Sequence, residues 1–469
     1  MAQLSGAPVV VMGLGRFGGG IGVARWLAAR GAKVTVTDLA GADALAESVR
    51  QLADLPARLH LGGHDPADLD DCRLLVVSPA VPKERSAFVR EAIARGIAVT
   101  SEMNLFVERC PARRVVGVTG SAGKSTTTAM IGAVIQAAAE AGRGPRVWVG
   151  GNIGRSLLSD LEAMAPDDVV VLELSSFQLD DLAALAWSPP LAVITNLQQN
   201  HLDRHGTFEA YAEAKLNIVR YQSPEGIVFV HERDEELAGR VAGAGASKRL
   251  RRYAFDPAFA ADLRVPGRHN QDNAAAAMAV ACALGVNGEL IKKGLAGFVG
   301  LPHRLEFVAE RGGVRYFNDS KSTTPASTRL ALEAFDAPVI ALVGGRDKGM
   351  SFDELTQLLA KRAKGVICFG EVGEKLFQDI HRCLGDGSGA VQAEWAGNKL
   401  PRSWKPGDGP GRAYVERAAG FDEAVARASR LAEPGDVVVL SPACTSYDMF
   451  ANYEQRGKAF CRLVRALPE

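Results

Sequence analysis

Short runs of β-branched residues alternate with Ala- and Leu-rich stretches along almost the whole chain, and this rhythm constrains the fold more than any other feature. PVVVMGL (8–14) is followed by GVARWLAARG (22–31) and AKVTVTD (32–38), and RLLVVSPA (73–80) and GIAVTSEM (96–103) continue the pattern. Such alternation is the signature of βαβ units stacked into parallel sheets. The 469 residues exceed what one hydrophobic core supports, which predicts roughly two to four domains. One break falls near Cys110-Pro111, before RVVGVTG (114–120) opens a new strand. A second falls near Gly300-Leu301-Pro302, after the helical stretch NQDNAAAAMAVACALG (270–285). The expected domains are therefore 1–110, 111–300 and 301–469. In the last, the buried-strand runs APVIALVGG, GVICFG and DVVVLSPA recur, and the Gly- and Pro-rich stretch 385–412 reads as a surface loop.

Composition narrows the function. Fifty-four basic residues balance fifty-four acidic ones, so no global field draws the chain to nucleic acid or an anionic membrane, and neither is expected as a partner. The N-terminal apolar run lacks a basic leader and leads straight into glycines, which reads as a first strand rather than a signal peptide. No apolar run approaches the roughly 20 residues of a membrane span. The cysteines at 72, 110, 282, 368, 383, 444 and 461 show neither CxxC pairs nor metal-ligand spacing, as in a reduced, cytoplasmic protein.

Two Gly-rich turns follow strands. Gly13-Leu14-Gly15-Arg16-Phe17-Gly18 opens a helix, and Asp38 closes the next strand, as a dinucleotide fingerprint requires. Such a turn can hold NAD, can hold another nucleotide diphosphate at the helix N-terminus, or can be only a tight turn. The second, Gly117 to Thr126, ends in Gly120-Ser121-Ala122-Gly123-Lys124-Ser125-Thr126. Its backbone N–H groups can converge on phosphates, Lys124 can reach the β- and γ-phosphates, and the Ser125 hydroxyl can ligate Mg²⁺. Val118 stands five before Gly123, so the full Walker A spacing is not met.

From this turn onward the motifs resemble those of the Mur ligases. The resemblance runs through TGSAGKS (119–125), GNIG (151–154), LELSSFQL (172–179), Asn196 with NHLDRHG (200–206), and the lysine of YAEAKLNI (211–218). It continues through PGRHNQDNAAAA (266–277), LPHRLE (301–306), NDSKSTTPAST (318–328) and SPACTSYDMFANYEQRGKAF (441–460), and so covers nearly the whole chain. ELSSFQL, NDSK and the C-terminal motif look like those of the D-glutamate-adding member of the family. The resemblance implies an α/β protein of three domains: an N-terminal Rossmann-like UDP-binding domain, a central P-loop ATPase domain with a parallel sheet, and a C-terminal Rossmann-like domain receiving the amino acid.

It also implies site residues. Gly15, Arg16, Phe17, Asp38 and Ser78 would serve the uridine diphosphate, although the segment around Ala40 lacks the arginine that some members carry there. Residues 120–126 with Asn270, Asn273, Arg304 and Asp319 would bind ATP. Asn152, Ser175, Ser176 and His201 would lie near the muramoyl and alanyl groups. Lys321, Thr323, Lys348, Ser446 and Tyr453 would surround glutamate. Two Mg²⁺ ions would be held by Ser125, Glu173, His201 and Lys215, the last converted by CO₂ to a carbamate. Catalysis would rest on Lys124, Glu173, His201 and Lys215. Taken by itself, Lys215 is a helical lysine expected at the surface, and a cationic amine cannot ligate Mg²⁺. A carboxylate at the end of a buried strand, as Glu173 is, is costly without a cation or donors. Cys444 has no evident paired base and is not read as a nucleophile.

The implied reaction is ATP-dependent addition of D-glutamate to UDP-N-acetylmuramoyl-L-alanine by a monomer, through an acyl phosphate. The same reaction with L-glutamate, another Mur or folylpolyglutamate-type ligase, an NAD-dependent dehydrogenase and a P-loop regulatory or transport ATPase are the alternatives. Tyr447 and Tyr453 stand where Leu and Phe are common, which bears on the enantiomer.

Overall fold

A computed structural model describes residues 4–15, 19–260, 263–347, 349–385 and 413–468. Arg16, Phe17, Lys348 and the stretch 386–412 lie outside the described residues. Two compact units form, one of residues 1–261 with 272–295, the other of 262–271 with 296–469. The first unit holds two sheets and the second holds one.

The first sheet contains β1 (Pro8–Met12), β2 (Lys33–Asp38), β3 (Arg58–Leu61), β4 (Leu74–Val77) and β5 (Ala98–Thr100), all parallel, in the order β3-β2-β1-β4-β5. The second contains β6 (Arg114–Thr119), β7 (Val147–Gly151), β8 (Val169–Glu173), β9 (Leu191–Ile194), β10 (Ile227–His231) and β11 (Leu250–Tyr253). It is also parallel, in the order β11-β10-β9-β6-β8-β7. Strands such as Val169–Val170–Val171–Leu172 are buried on both faces, which is why they read as continuous apolar runs rather than alternating ones. In each sheet the strand order reverses beside an early strand, β1 in one and β6 in the other. Ligands of open α/β sheets bind in the crevice beyond the carboxyl ends of the strands at such a reversal.

The second unit's sheet contains β12 (Glu306–Arg311), β13 (Val314–Asn318), β14 (Val339–Gly344), β15 (Gly365–Phe369), β16 (Tyr414–Arg417) and β17 (Val437–Leu440), ordered β12-β13-β17-β14-β15-β16. It departs from a wholly parallel sheet at one edge, where β12 runs antiparallel to β13. The Gly312-Gly313 pair between them, at φ of 57° and 75°, forms a tight hairpin that the α/β rhythm does not announce. Apolar side chains cover both faces of this sheet. Among the described residues no helix is long and apolar enough to cross a membrane.

Candidate active site

The second Gly-rich turn lies at the central strand of its sheet. β6 ends at Thr119, and the helix Lys124–Glu140 begins after Gly123. Gly120 and Gly123 adopt φ of 145° and 80°, where a side chain is strained. A Cβ at Gly123 would also stand 2.5 Å from Asn273 Oδ1. A loop from the end of β9 braces the turn: the Ala122 N–H donates to Asn196 Oδ1 (3.0 Å), the Ser121 N–H to Asn196 O (3.0 Å), and Thr195 Oγ1 to Ala122 O (2.6 Å). Ser121 Oγ lies 3.0 Å from Tyr211 Oη. The backbone donors of Ser121 and Ala122 are thus engaged with Asn196. The first turn of the helix, at the positive end of its dipole, is what remains to face an anion. Lys124 Nζ folds over the loop to Ser121 O (3.1 Å), Ser125 is half-buried in the first turn, and Thr126 is buried behind it.

Glu173 and Lys215 are both buried beside this turn. Glu173, 2% exposed at the end of β8, accepts from Asn152 Nδ2 through Oε1 (2.8 Å), while its Oε2 is buried without a hydrogen-bond partner. Lys215 is no surface residue: it is 1% exposed on the inner face of the helix Phe208–Arg220, and its Nζ donates to Thr119 Oγ1 (3.2 Å). The amine also lies 4.9 Å from the centre of the Tyr211 ring. Burial, reinforced by the Lys124 charge and opposed by Glu173, lowers the Lys215 pKa to about 7.

Ser175 caps the helix Ser176–Ala183 in a reciprocal pair with Gln178, which fixes the entry of the chain after β8. His201 is exposed at φ 53° and packs edge-on against Phe177, with ring centroids 5.2 Å apart. The hydrogen bond to Ser176 belongs instead to His205, whose Nε2 lies 3.0 Å from Ser176 Oγ. Arg204 of the same loop spans to the first sheet, donating to Ala80 O (2.7 Å) over the face of Phe177. His205, Arg204, Tyr211 and Thr195 escaped sequence reasoning. Arg204 and His205 sit within the NHLDRHG motif and Tyr211 opens YAEAKLNI, so these were in reach, whereas Thr195 lies just outside the quoted motifs.

The first Gly-rich turn borders a cavity of about 920 Å³ at the carboxyl ends of β1, β2 and β4, lined by Gly13, Gly15, Asp38 and Ser78 among others. Gly13 lets β4 approach, since a Cβ there would stand 2.7 Å from Ser78 Cβ. Asp38 is used internally: its two oxygens accept from the N–H groups of Gly15 (3.1 Å) and Ala40 (2.9 Å), so it shapes the turn. Leu39, His64, Arg85 and Phe88 also line this cavity and were not foreseen, because they lie in the segments after β2, β3 and β4, outside the quoted motifs.

In the second unit, the loops after β13 and β17 bring Asp319, Lys321, Thr323, Ser446 and Tyr453 to the carboxyl ends of two adjacent strands. Lys321 Nζ stands 5.8 Å from the centre of the Tyr453 ring. The organiser is Arg456, fully buried, which donates to Ser320 Oγ (3.0 Å) and to the carbonyls of Ser320 (2.9 Å), Cys444 (3.0 Å) and Thr445 (3.2 Å). Ser446 is buried and Tyr447 is 58% exposed, so of the two unusual tyrosines the exposed one is less placed to line a pocket. Asp319 is buried, accepting from Leu305 N–H (3.2 Å) and Ser441 Oγ (2.7 Å), and burial raises its pKa to about 6 against those bonds. Arg304 is exposed in the same unit. The two asparagines divide: Asn273 belongs to the first unit and accepts from Thr127 Oγ1 (3.1 Å), while Asn270, in the second, donates to Pro266 O (2.6 Å). Cys444 is buried, and no disulfide joins any of the seven cysteines, all of them among the described residues.

A Gly-rich turn at one sheet's reversal, a large cavity at another's and a polar loop pair at the third place three candidate binding sites on a multidomain α/β enzyme. The three segments match, in order, the MurD-like N-terminal domain of Mur ligases (residues 7–101), the Mur ligase middle domain (118–281) and the Mur ligase glutamate ligase domain (303–444). A UDP-N-acetylmuramoylalanine–D-glutamate ligase of Roseiflexus sp. (strain RS-1) is 37% identical, covering 99% of this chain and 99% of the relative. One from Symbiobacterium thermophilum is 36% identical, over 96% and 97%. The chain belongs to the Mur ligase family. Its fold is also that of the UDP-N-acetylmuramate-alanine ligase of Thermotoga maritima, at a TM-score of 0.55 and 18% identity over 98% and 99% of the two chains. A MurF ligase of the same organism in complex with ADP superimposes at 0.52 and 15% identity over the full length of both.

Proposed function

We infer that this chain joins D-glutamate to the alanyl carboxylate of UDP-N-acetylmuramoyl-L-alanine, converting ATP to ADP and phosphate, in peptidoglycan precursor synthesis. The observation that carries the mechanism is the burial, beside the Gly-rich turn, of Lys215, which donates to Thr119, and of Glu173, whose Oε2 has no hydrogen-bond partner. Amide formation from a carboxylate in water is uphill, so the carboxylate first takes the γ-phosphoryl group to become an acyl phosphate. The glutamate amine then attacks that carbon, and phosphate leaves. Lys124 and the first turn of its helix stabilise charge on the transferring phosphoryl oxygens. Asn152, Ser175, Ser176 and His201, joined by His205, hold the muramoyl and alanyl end, with residues 120–126, Asn270, Asn273, Arg304 and Asp319 on ATP. Lys321, Thr323, Ser446 and Tyr453, with Lys348, receive the two carboxylates of glutamate. Gly15, Arg16, Phe17, Asp38 and Ser78 serve the uridine diphosphate. The working segments are 1–110, 111–300 and 301–469, and the chain acts as a cytoplasmic monomer.

The orphaned Glu173 Oε2 and the oxygen-rich donor set suit Mg²⁺, a hard cation that prefers oxygen ligands. Among the described residues there is no cluster of three His, Cys, Asp or Glu, so protein carboxylates alone do not build the site. Ser125, Glu173, His201 and Lys215 would hold two ions, whose bound charge neutralises the phosphates. For Lys215 this requires an oxygen donor. With its pKa lowered to about 7, roughly half of the amine is neutral at pH 7, against one in a few thousand for an ordinary lysine. The neutral amine adds to CO₂ with loss of a proton, giving an anionic carbamate.

The test is isotope transfer. With ¹⁸O in the alanyl carboxylate, the acyl-phosphate route delivers one ¹⁸O to the released phosphate. Unlabelled phosphate alongside labelled product would exclude it.

A further inference from the structure

The cavity of the first sheet holds an imidazole whose hydrogen bonding is fixed on one side and open on the other. His64 follows β3 and lines the cavity, its ring against Phe88 with centroids 5.3 Å apart and planes at 33°. Behind it stands Thr37, fully buried on β2. Thr37 has one hydroxyl proton, and both neighbours of its oxygen are satisfied only if that proton goes to Gly63 O (2.9 Å). Oγ1 then accepts from His64 Nδ1–H at 2.8 Å. A neutral imidazole carries a single ring proton, so Nε2 is left as a bare acceptor. Burial pulls the His64 pKa below its ordinary value, with His60 adding and Asp38 and Asp68 opposing; among the described residues Arg85 and Glu91 are the other charged groups lining the cavity. Nε2 is not among the buried orphan atoms and makes no hydrogen bond to a described residue. Leu39, 73% exposed, lies on the same cavity and offers an apolar surface that a flat ring would cover.

The chemistry of an acceptor at this place is selective. Uracil presents an N3–H donor between two carbonyls, whereas cytosine presents a lone pair at N3 and would face another on the imidazole. We infer that His64 Nε2 accepts the N3–H of the uracil ring and is the residue that selects a uridine over a cytidine nucleotide. This rests on the reading that the cavity takes the uridine diphosphate of the substrate. Thr37 positions the ring and fixes its tautomer, and Phe88 sets its tilt.

The experiment is calorimetric binding of UDP, CDP and N3-methyl-UDP to the full-length chain, its His64→Phe variant and its His64→Gln variant. The wild type should bind UDP about tenfold more tightly than either analogue, since each leaves a polar group in the pocket unpaired. His64→Phe keeps the ring packing without the acceptor and should bind all three alike. His64→Gln, which regains an acceptor in its amide carbonyl, should restore part of the preference. In the ligation assay His64→Phe should raise KM for the nucleotide substrate about tenfold and leave kcat nearly unchanged, because uracil is remote from the reacting carboxylate. A folded His64→Phe protein that still prefers UDP over N3-methyl-UDP as the wild type does overturns the inference while ligation stands. A wild type that discriminates UDP from CDP through His64 but does not ligate overturns the function reading alone. Absence of UDP binding overturns both.

Discussion

Replacing Lys215 by Met should stabilise the protein while abolishing turnover, with a gain that depends on pH in one direction only. The amine is 1% exposed, so solvent screening does not dilute the effect. Its pKa falls from 10.5 to about 7 on folding, and the charged form is what folding disfavours. Below pH 7 the lysine is protonated in both states, and the whole difference opposes folding, about 5 kcal/mol at about 1.4 kcal/mol per pH unit. Between pH 7 and 10.5 the folded amine is neutral while the unfolded one still binds a proton, so the penalty shrinks as pH rises. At pH 9 about 2 kcal/mol remains. The Met variant, which fills similar volume without charge, should therefore gain about 3 kcal/mol more at pH 6 than at pH 9, on the order of 10 °C in the melting temperature of a domain this size. Thermal unfolding in CO₂-free, chelator-treated buffer at pH 6, 7.5 and 9 measures this. A variant less stable than wild type at pH 6, or a gain that is flat with pH, would refute the burial argument.

Other substitutions probe other parts of the site. Lys124→Ala should lower kcat at least about a thousandfold with an unchanged melting temperature, read as phosphate release, because the lost charge acts on phosphoryl oxygens. Gly123→Ala places a side chain at φ 80° and against Asn273, and should cost about 1–3 kcal/mol of stability and raise KM for ATP. Arg456→Leu leaves the Ser320, Cys444 and Thr445 carbonyls without their donor and should destabilise by about 3–5 kcal/mol, seen in urea unfolding; an effect below about 1 kcal/mol would show that the guanidinium does not organise the loop.

Much of the fold was legible because buried parallel strands write themselves as apolar runs. Every run named from the sequence in the first two sheets lies on a strand, and both Gly-rich turns fall at strand ends. The hairpin β12–β13 was missed because EFVAERGGVRYFN breaks the α/β rhythm with a two-glycine turn. Candidate residues such as Glu173 and Lys321 could be named in advance because they lie in motifs. What the sequence could not supply was the environment of each group. Lys215 reads as a surface lysine until its helix is packed against β6, and nothing around Asp38 in the sequence says that its oxygens accept from the N–H groups of Gly15 and Ala40. His64 and Thr37 meet only because β2 and β3 are neighbours, 27 positions apart in sequence.

The most direct measurement is phosphate release by the purified chain with ATP, UDP-N-acetylmuramoyl-L-alanine and either enantiomer of glutamate, with the product mass determined in parallel. Release should require all three substrates, match product one to one, add one glutamyl residue, and show the larger kcat/KM for D-glutamate. Release without the nucleotide substrate, or a larger kcat/KM for L-glutamate, would contradict the assignment.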